Sequence, residues 1–113
     1  NVVLNEGLEK IGQGAFHKCS SLESIKSTST ITEVGGRAFL SCHQLKVVLL
    51  NEGLQKIGKG AFYECSSLES IRLPSTITEV FAFAFHYCKQ LKDVVLNEGL
   101  QKIGKGAFYE CSS

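Results

Sequence analysis

The sequence lacks several features that would point to a partner or a compartment. Its 12 lysines and arginines against 11 acidic residues give a net charge of +1, and no run of basic residues occurs. Electrostatic capture of nucleic acid or of an anionic membrane is therefore unsupported. No apolar stretch reaches the roughly 18 to 20 residues that cross a bilayer, so no membrane insertion is expected. There is no initiator methionine and no signal-peptide pattern, and we expect a piece of something longer.

Residue groupings that would carry catalysis or bind a metal are also missing. No C-x-x-C pair and no Cys–His pair at ligand spacing occurs. A catalytic dyad would not need five copies of its nucleophile. We therefore predict no metal site, no cofactor and no enzymatic activity.

What the sequence does contain is a strict internal period. Its five cysteines are each 23 residues apart, and a phenylalanine precedes each of them by three residues. The two columns are Cys19, Cys42, Cys65, Cys88 and Cys111, and Phe16, Phe39, Phe62, Phe85 and Phe108. Apolar residues that keep one period while other positions vary are typical of stacked turns, so the period predicts a solenoid.

Each turn has a predicted strand and a predicted helical turn. Ile71-Arg72-Leu73 alternates between inward and outward positions and ends at Pro74, as a short strand does. The pattern A-F-x-x-C-x-x-L spaces its apolar residues by three and four, which favours a brief helical turn on the opposite side. Strands from successive turns would then pair in parallel, about 4.8 Å apart.

Residues that lie 46 positions apart, two turns away from each other, are mostly identical. Charged residues alternate in sign from one 23-residue turn to the next, which explains this doubled period. Stacked copies of a single 23-residue turn would place like charges opposite each other, whereas alternation makes each neighbouring pair attractive. We interpret these columns as structural. They are Lys10, Glu33, Lys56, Glu79 and Lys102, and Glu23, Lys46, Glu69 and Lys92.

The turn resembles the BspA-like subclass of leucine-rich repeats, whose pattern runs approximately C-x-x-L-x-x-I-x-L-P-x-x-(L/V)-x-x-I-G-x-x-A-F-x-x. The best match to that pattern consists of Cys65, Leu68, Ile71, Leu73, Pro74, Ile77, Val80, Ala84 and Phe85. The departures are Asn5, Asn51, Asn97 and Thr28 in place of proline, Ser27 in place of a strand leucine, and Phe81 in place of glycine.

This resemblance implies an α/β fold. The expected architecture is a right-handed leucine-rich-repeat solenoid of about five 23-residue turns, with a parallel sheet of short strands on one face and short helical turns or loops on the other. We expect residues 1–113 to form a single solenoid segment within a longer array. The resemblance also implies an adhesion or protein-binding module of a secreted or cell-surface protein, although a fold does not by itself fix a function.

The cysteines could form disulfides between adjacent turns, or they could be buried as free thiols. Their odd number and the A-F-x-x-C spacing, which directs each thiol to the core beside a phenylalanine, favour the buried thiols. We therefore interpret each cysteine as a small apolar group that fills the same place in every turn.

The outward residues of the strands form the candidate partner-binding surface. The alternate residues of each strand already fill the core, so core packing does not explain why aliphatic side chains also stand in the outward row. The alternative is that such side chains simply favour strands. The row consists of Val3, Lys26, Leu49, Arg72 and Val95, and a more polar row of Asn1, Ser24, Val47, Ser70 and Asp93 lies beside it.

A second candidate surface is aromatic and comprises Phe81, Phe83 and Tyr87. Phe81 and Phe83 stand where the turns on both sides have glycine, so their rings could cover bare backbone or could form a contact patch. Two functions follow from these surfaces. One is a non-enzymatic module that presents its strand face to a protein partner, and the other is an assembly element that associates end to end with more repeats or other subunits.

Overall fold

The computed structural model describes residues 2–3, 7–95 and 102–108. Ten short strands follow one another along these residues, and together they wind a parallel β-solenoid of about four turns rather than five. The strands are β1 Val2–Val3, β2 Lys10–Ile11, β3 Ser24–Lys26, β4 Glu33–Val34, β5 Val47–Leu49, β6 Lys56–Ile57, β7 Ser70–Arg72, β8 Glu79–Val80, β9 Asp93–Val95 and β10 Lys102–Ile103.

Every turn contributes two strands, and the two kinds form separate columns. The odd-numbered strands make the predicted strand face, in a sheet ordered β1-β3-β5 and a second sheet of β7-β9. The even-numbered strands form one continuous sheet in the order β10-β8-β6-β4-β2. The prediction of strands on one face only was therefore incomplete, because each even strand is just two residues long and shows no alternation to detect.

Of the helical turns or loops predicted for the other face, the helical turns are not confirmed, since none of the described residues is helical. The turn segment, defined as residues 58–68 and its equivalents, is a series of tight turns. Ala61, Tyr63 and Cys65 each donate their N–H to the carbonyl three residues back. The amides between them, such as those of Phe62 and Glu64, donate instead to the next turn. A helix needs consecutive amides to bond within one segment, so this alternation excludes it.

The core is organised around one column of stacked phenylalanine rings. Adjacent rings in the column from Phe16 to Phe108 have centroids 5.1 or 5.2 Å apart and planes inclined by only 3–6°. The three central rings, Phe39, Phe62 and Phe85, are almost completely buried. Parallel rings offset in this way bury a large apolar area in each turn and fix the lateral position of the next turn.

The first predicted charge column lies on the even-numbered sheet and has the expected register. Lys10 pairs with Glu33, Glu33 with Lys56, Lys56 with Glu79 and Glu79 with Lys102. Lys10 Nζ lies 3.8 Å from Glu33 Oε1, at a site where both side chains remain exposed. Opposite charges therefore face each other across neighbouring strands, as the alternation in the sequence indicates.

We expect Phe62→Ala to lower the free energy of unfolding by about 3–5 kcal/mol, because it removes a fully buried ring and leaves a cavity between two others. Chemical denaturation in urea measures this change. Phe81→Ala is the matched control, since Phe81 is 37% exposed and its loss should cost less than about 1 kcal/mol. Equal losses in the two variants would contradict a core based on the ring column.

We expect Glu79→Lys to destabilise the fold by about 0.5–2 kcal/mol, because Lys56 and Lys102 lie on the two strands paired with it. The neutral variant Glu79→Gln removes the attraction without adding repulsion and should lose about half as much. The difference between the two variants should shrink in about 1 M salt, where such charges are screened. A difference that is independent of salt would show that the charge column does not act electrostatically.

Candidate functional site

The strand face carries two parallel rows of outward side chains, and the register of the strands aligns them. Val3 pairs with Lys26, Lys26 with Leu49, and Arg72 with Val95. The predicted row is thus assembled as expected for the turns that these pairs join. The side chain of Val3 lies outside the described residues, as does Asn1 of the second row.

The aliphatic members of these rows are among the most exposed large hydrophobic residues of the described chain. Leu49 exposes 53% of its surface, Val95 52% and Val47 47%, while Lys26 and Arg72 are also exposed. Their inward neighbour Ile25 is 4% exposed and Ile71 is 2% exposed. The core is therefore filled without the outward residues, which leaves a row of exposed aliphatic side chains interleaved with two cationic ones.

The sheet of the strand face is interrupted between β5 and β7. No strand ladder joins these two strands, and no backbone hydrogen bond links residues 46–51 to residues 69–74, all of which the structure describes. At this break lies a shallow opening of about 180 Å³, which we name the strand-face cleft. It is lined by Val48, Leu49, Leu50, Glu52, Arg72 and Pro74.

One rim of the strand-face cleft is a carboxylate held in place by the next turn. Ser75 donates its hydroxyl to Glu52 Oε1 at 2.6 Å and its N–H to Oε2 at 3.3 Å. These hydrogen bonds, with a smaller contribution from the nearby Arg72 charge, lower the pKa of Glu52 below its ordinary value. The cleft therefore has apolar walls and an acidic and a basic group at its edge.

The three residues of the candidate aromatic patch do not lie together, because Phe83 and Tyr87 pack on His86 while Phe81 does not join them. Phe83 covers Gly106 with its ring, as the gap-covering interpretation predicts. Phe83 and Tyr87 both pack against the largely buried His86, with ring centroids 5.2 and 4.1 Å from it. Tyr63 of the preceding turn stacks on the same imidazole at 4.9 Å. These two residues of the patch thus belong to an aromatic cluster that sequence reasoning did not assemble.

Phe81 stands apart from that cluster and is 37% exposed. Its equivalents in neighbouring turns are glycines at which two turns come very close. A Cβ at Gly58 would lie only 2.6 Å from the Gly36 nitrogen, and one at Gly104 would meet the backbone of Phe81 and Ala82. Nothing in the structure explains why this one turn carries a phenylalanine at that position.

The cysteines are free thiols that line the core. Cys42, Cys65 and Cys88 are completely buried and Cys19 is half-buried, while Cys111 lies outside the described residues. Each buried thiol donates a hydrogen bond to the carbonyl oxygen of the preceding turn's phenylalanine, at 3.1–3.2 Å. Burial raises the pKa of Cys42 and, more strongly, that of Cys65. The thiol thus joins successive turns as a weak donor, beyond the apolar role predicted for it.

The described residues contain no group of three or more histidine, cysteine or acidic side chains arranged to hold a metal ion. Within the same part of the chain, no helix has the length and apolar character needed to cross a membrane.

Sequence comparison is consistent with this geometry. The family model of the BspA type leucine rich repeat region matches residues 1–113 in six copies. The chain belongs to this family. Its repeats form protein-interaction or structural modules and are generally non-enzymatic. No curated protein matches the sequence significantly.

Solved structures of bacterial leucine-rich repeat proteins share the fold. One from Bacteroides ovatus is 27% identical with a TM-score of 0.80, and the match covers 97% of this chain and 34% of that protein. One from Eubacterium ventriosum is 23% identical with a TM-score of 0.69, over 100% and 37% of the two chains. A leucine rich cell surface protein from Faecalibacterium prausnitzii is 23% identical with a TM-score of 0.55, over 96% and 43%. The BspA-type chain thus spans about a third of the Bacteroides protein.

The sequence interpretation missed two openings, which lie on different faces of the solenoid. The strand-face cleft arises from a break in hydrogen bonding that no residue pattern marks. A second opening of about 300 Å³ lies on the turn segments and is lined by Arg37, Leu40, Lys59, Gly60, Tyr63 and Phe83. Its signal was present in the sequence, since one position is glycine in three turns and Arg37 or Phe83 in the others.

We expect alkylation of the native protein at about pH 8 to distinguish the thiols. Cys19 is half-buried and should react first, whereas Cys65 should react at least about tenfold more slowly, because burial and its raised pKa leave little thiolate. Peptide mass spectrometry after timed quenching measures both rates. In about 6 M guanidinium the two rates should converge, which serves as the control. Rapid native labelling of Cys65 would contradict its burial.

Proposed function

We propose that this chain is a non-enzymatic protein-interaction module that binds a protein partner through its strand face. The observation that carries the proposal is the exposure of Leu49 and Val95, at 53% and 52%, on a face whose core positions are already filled. Exposed aliphatic side chains, which alternate along the row with Lys26 and Arg72, offer a partner apolar contact area.

The charged members of the row support the same proposal. Lys26 and Arg72 have long stems that add apolar contact area while their charges stay in water. Arg72 also lies at the strand-face cleft opposite Leu49. A cleft of about 180 Å³ is large enough for one side chain of a partner, and the bordering Arg72 and Glu52 groups would orient it.

The location and the adhesive role belong to the same proposal. Family resemblance supports a secreted or cell-surface location, and the Faecalibacterium prausnitzii protein of this fold is a cell-surface protein. Buried free thiols fit such an environment, because they are shielded from oxidants in the described turns.

A structural or assembly role is the second candidate, and exposed apolar residues near the two ends of the described chain favour it. Leu8 is 39% exposed and Ile103 49% exposed, whereas the equivalent Leu54 and Ile57 of inner turns are completely buried. Further turns or another copy of the chain would cover these residues. This role would leave the strand face without a specific partner.

We expect Leu49→Asp combined with Val95→Asp to abolish retention of the partner in a pull-down from the native host extract. The change replaces two aliphatic members of the proposed contact row with carboxylates. Both variants would be made in a capped array, and circular dichroism would first establish equal folding. The matched control is Gln44→Asp with Gln90→Asp, which adds the same charge at exposed positions.

Loss of the same proteins with the strand-face variant, but not with the control, supports the binding function. If both variants retain the same proteins, or if the unmodified array retains none, the strand face is not the recognition surface. Sedimentation velocity over a concentration series then distinguishes the assembly role, because association through the ends would strengthen with concentration in uncapped chains and disappear in capped ones.

A further inference from the structure

The opening on the turn segments, which we name the Arg37 cleft, is lined by two residues whose backbone is in an unfavourable conformation, Arg37 and Phe83. The equivalent residues Gly14, Arg37, Gly60, Phe83 and Gly106 all have φ between 56° and 67°. Only glycine adopts this left-handed region at little energetic cost. Arg37 and Phe83 are thus placed, at a conformational cost, in a position that other turns fill with glycine. What singles them out is the replacement of glycine, because no turn has glycine at the other position that adopts this conformation, which is occupied by Lys18, Ser41, Glu64 and Tyr87.

The cleft exists because glycine lies between those two side chains. The Cγ of Arg37 lies 3.5 Å from where a Cβ of Gly60 would be, so the arginine stem runs directly over that glycine. Phe83 on the other side directs its ring onto Gly106, away from Gly60. The space left above Gly60 has a volume of about 300 Å³, which is enough for one large side chain.

The charges around the cleft differ from those of the charge column on the even-numbered sheet. Arg37 and Lys59 lie on adjacent turns, and the Arg37 N–H donates to the Lys59 carbonyl oxygen at 2.9 Å. Both side chains are exposed and line the opening, no carboxylate lines it, and neither cation forms an ion pair within the described chain. In the column from Lys10 to Lys102, by contrast, neighbouring charges alternate in sign. A pair of like charges without a counter-charge attracts an anionic group.

The other walls are apolar and are held in position. Leu40, Tyr63 and Phe83 complete the lining. Tyr63 stacks on His86 at 4.9 Å, and Phe83 packs edge-on against the same imidazole at 5.2 Å. Aromatic walls that are already fixed lose little conformational freedom when a ligand binds.

We infer that the Arg37 cleft is a binding site for an acidic peptide segment in which a carboxylate stands next to an aromatic side chain. The carboxylate would lie between Arg37 and Lys59, and the aromatic ring would occupy the space over Gly60 against Tyr63 and Phe83. Charge complementarity selects an acidic over a neutral or basic segment, and the volume limits the inserted part to a single ring. The site is separate from the strand face and does not depend on its function.

The test is a titration of the ¹⁵N-labelled chain with acetyl-Asp-Phe-Asp-amide, followed by the amide shifts of Gly60 and Tyr63. Two matched probes separate the contributions, since acetyl-Asn-Phe-Asn-amide lacks the charge and acetyl-Asp-Gly-Asp-amide lacks the ring. We expect saturable shifts at these amides for the first probe, weaker binding for both others, and weaker binding at higher salt.

Two variants of the cleft and one control complete the design. Arg37→Gln should raise the Kd roughly two- to fivefold, as removal of one exposed charge contact does, while Lys46→Gln makes the same charge change elsewhere and should leave the Kd unaltered. Gly60→Asn fills the cleft with a residue that tolerates a positive φ and should abolish binding without unfolding the chain.

Arg37→Gly separates a binding role of Arg37 from a structural role, because the two roles predict opposite changes in Tm. It relieves the unfavourable backbone conformation, so it should raise Tm while weakening the peptide. The inference is overturned if the Asn-containing probe binds as tightly as the acidic one, if Lys46→Gln weakens binding as much as Arg37→Gln, or if no amide of the cleft shifts up to about 10 mM probe, the range in which single contacts still register.

Discussion

The fold depends on one geometric requirement, which is that each turn places its phenylalanine ring on the ring of the turn before. Because the rings repeat at 5.1–5.2 Å with nearly parallel planes, every other contact between turns must fit the same step. The buried thiols reach the carbonyl of the preceding turn at this step. The glycines at 35, 58 and 104 allow the backbone to approach closely enough to keep it. A turn of another length would lose all of these contacts together.

The same requirement explains which features could be predicted from the sequence. Phe62 and Cys65 repeat at a strict period, so their burial and stacking follow from the sequence alone. The helical turn is not confirmed, because an apolar spacing of three and four residues also fits a series of tight turns. A helix and a series of tight turns differ in which carbonyl accepts each amide hydrogen bond. The Phe62 N–H donates to the Ala84 carbonyl of the next turn, and no local sequence pattern indicates such a bond between turns.

The candidate sites show a similar division. The row containing Lys26, Leu49 and Val95 could be predicted because alternation within a strand determines which side chains face outward. The strand-face cleft could not, since it depends on missing hydrogen bonds between β5 and β7 rather than on residue identity. The Arg37 cleft falls between these cases. Its backbone conformation is indicated by the glycines of equivalent turns, but its open volume depends on the direction that the Phe83 ring takes.

The interruption of the strand face has a consequence for the spacing between Leu49 and Arg72. The even-numbered strands stay hydrogen-bonded in one continuous sheet past the level at which β5 and β7 separate, and Ser75 still bonds Glu52 beside the break. The two turns are therefore joined on either side of the break, while no ladder hydrogen bond of their own holds Leu49 and Arg72 at a set distance. A partner that contacts both residues would bridge the one place on the described part of this face where neighbouring turns are not joined through their strands.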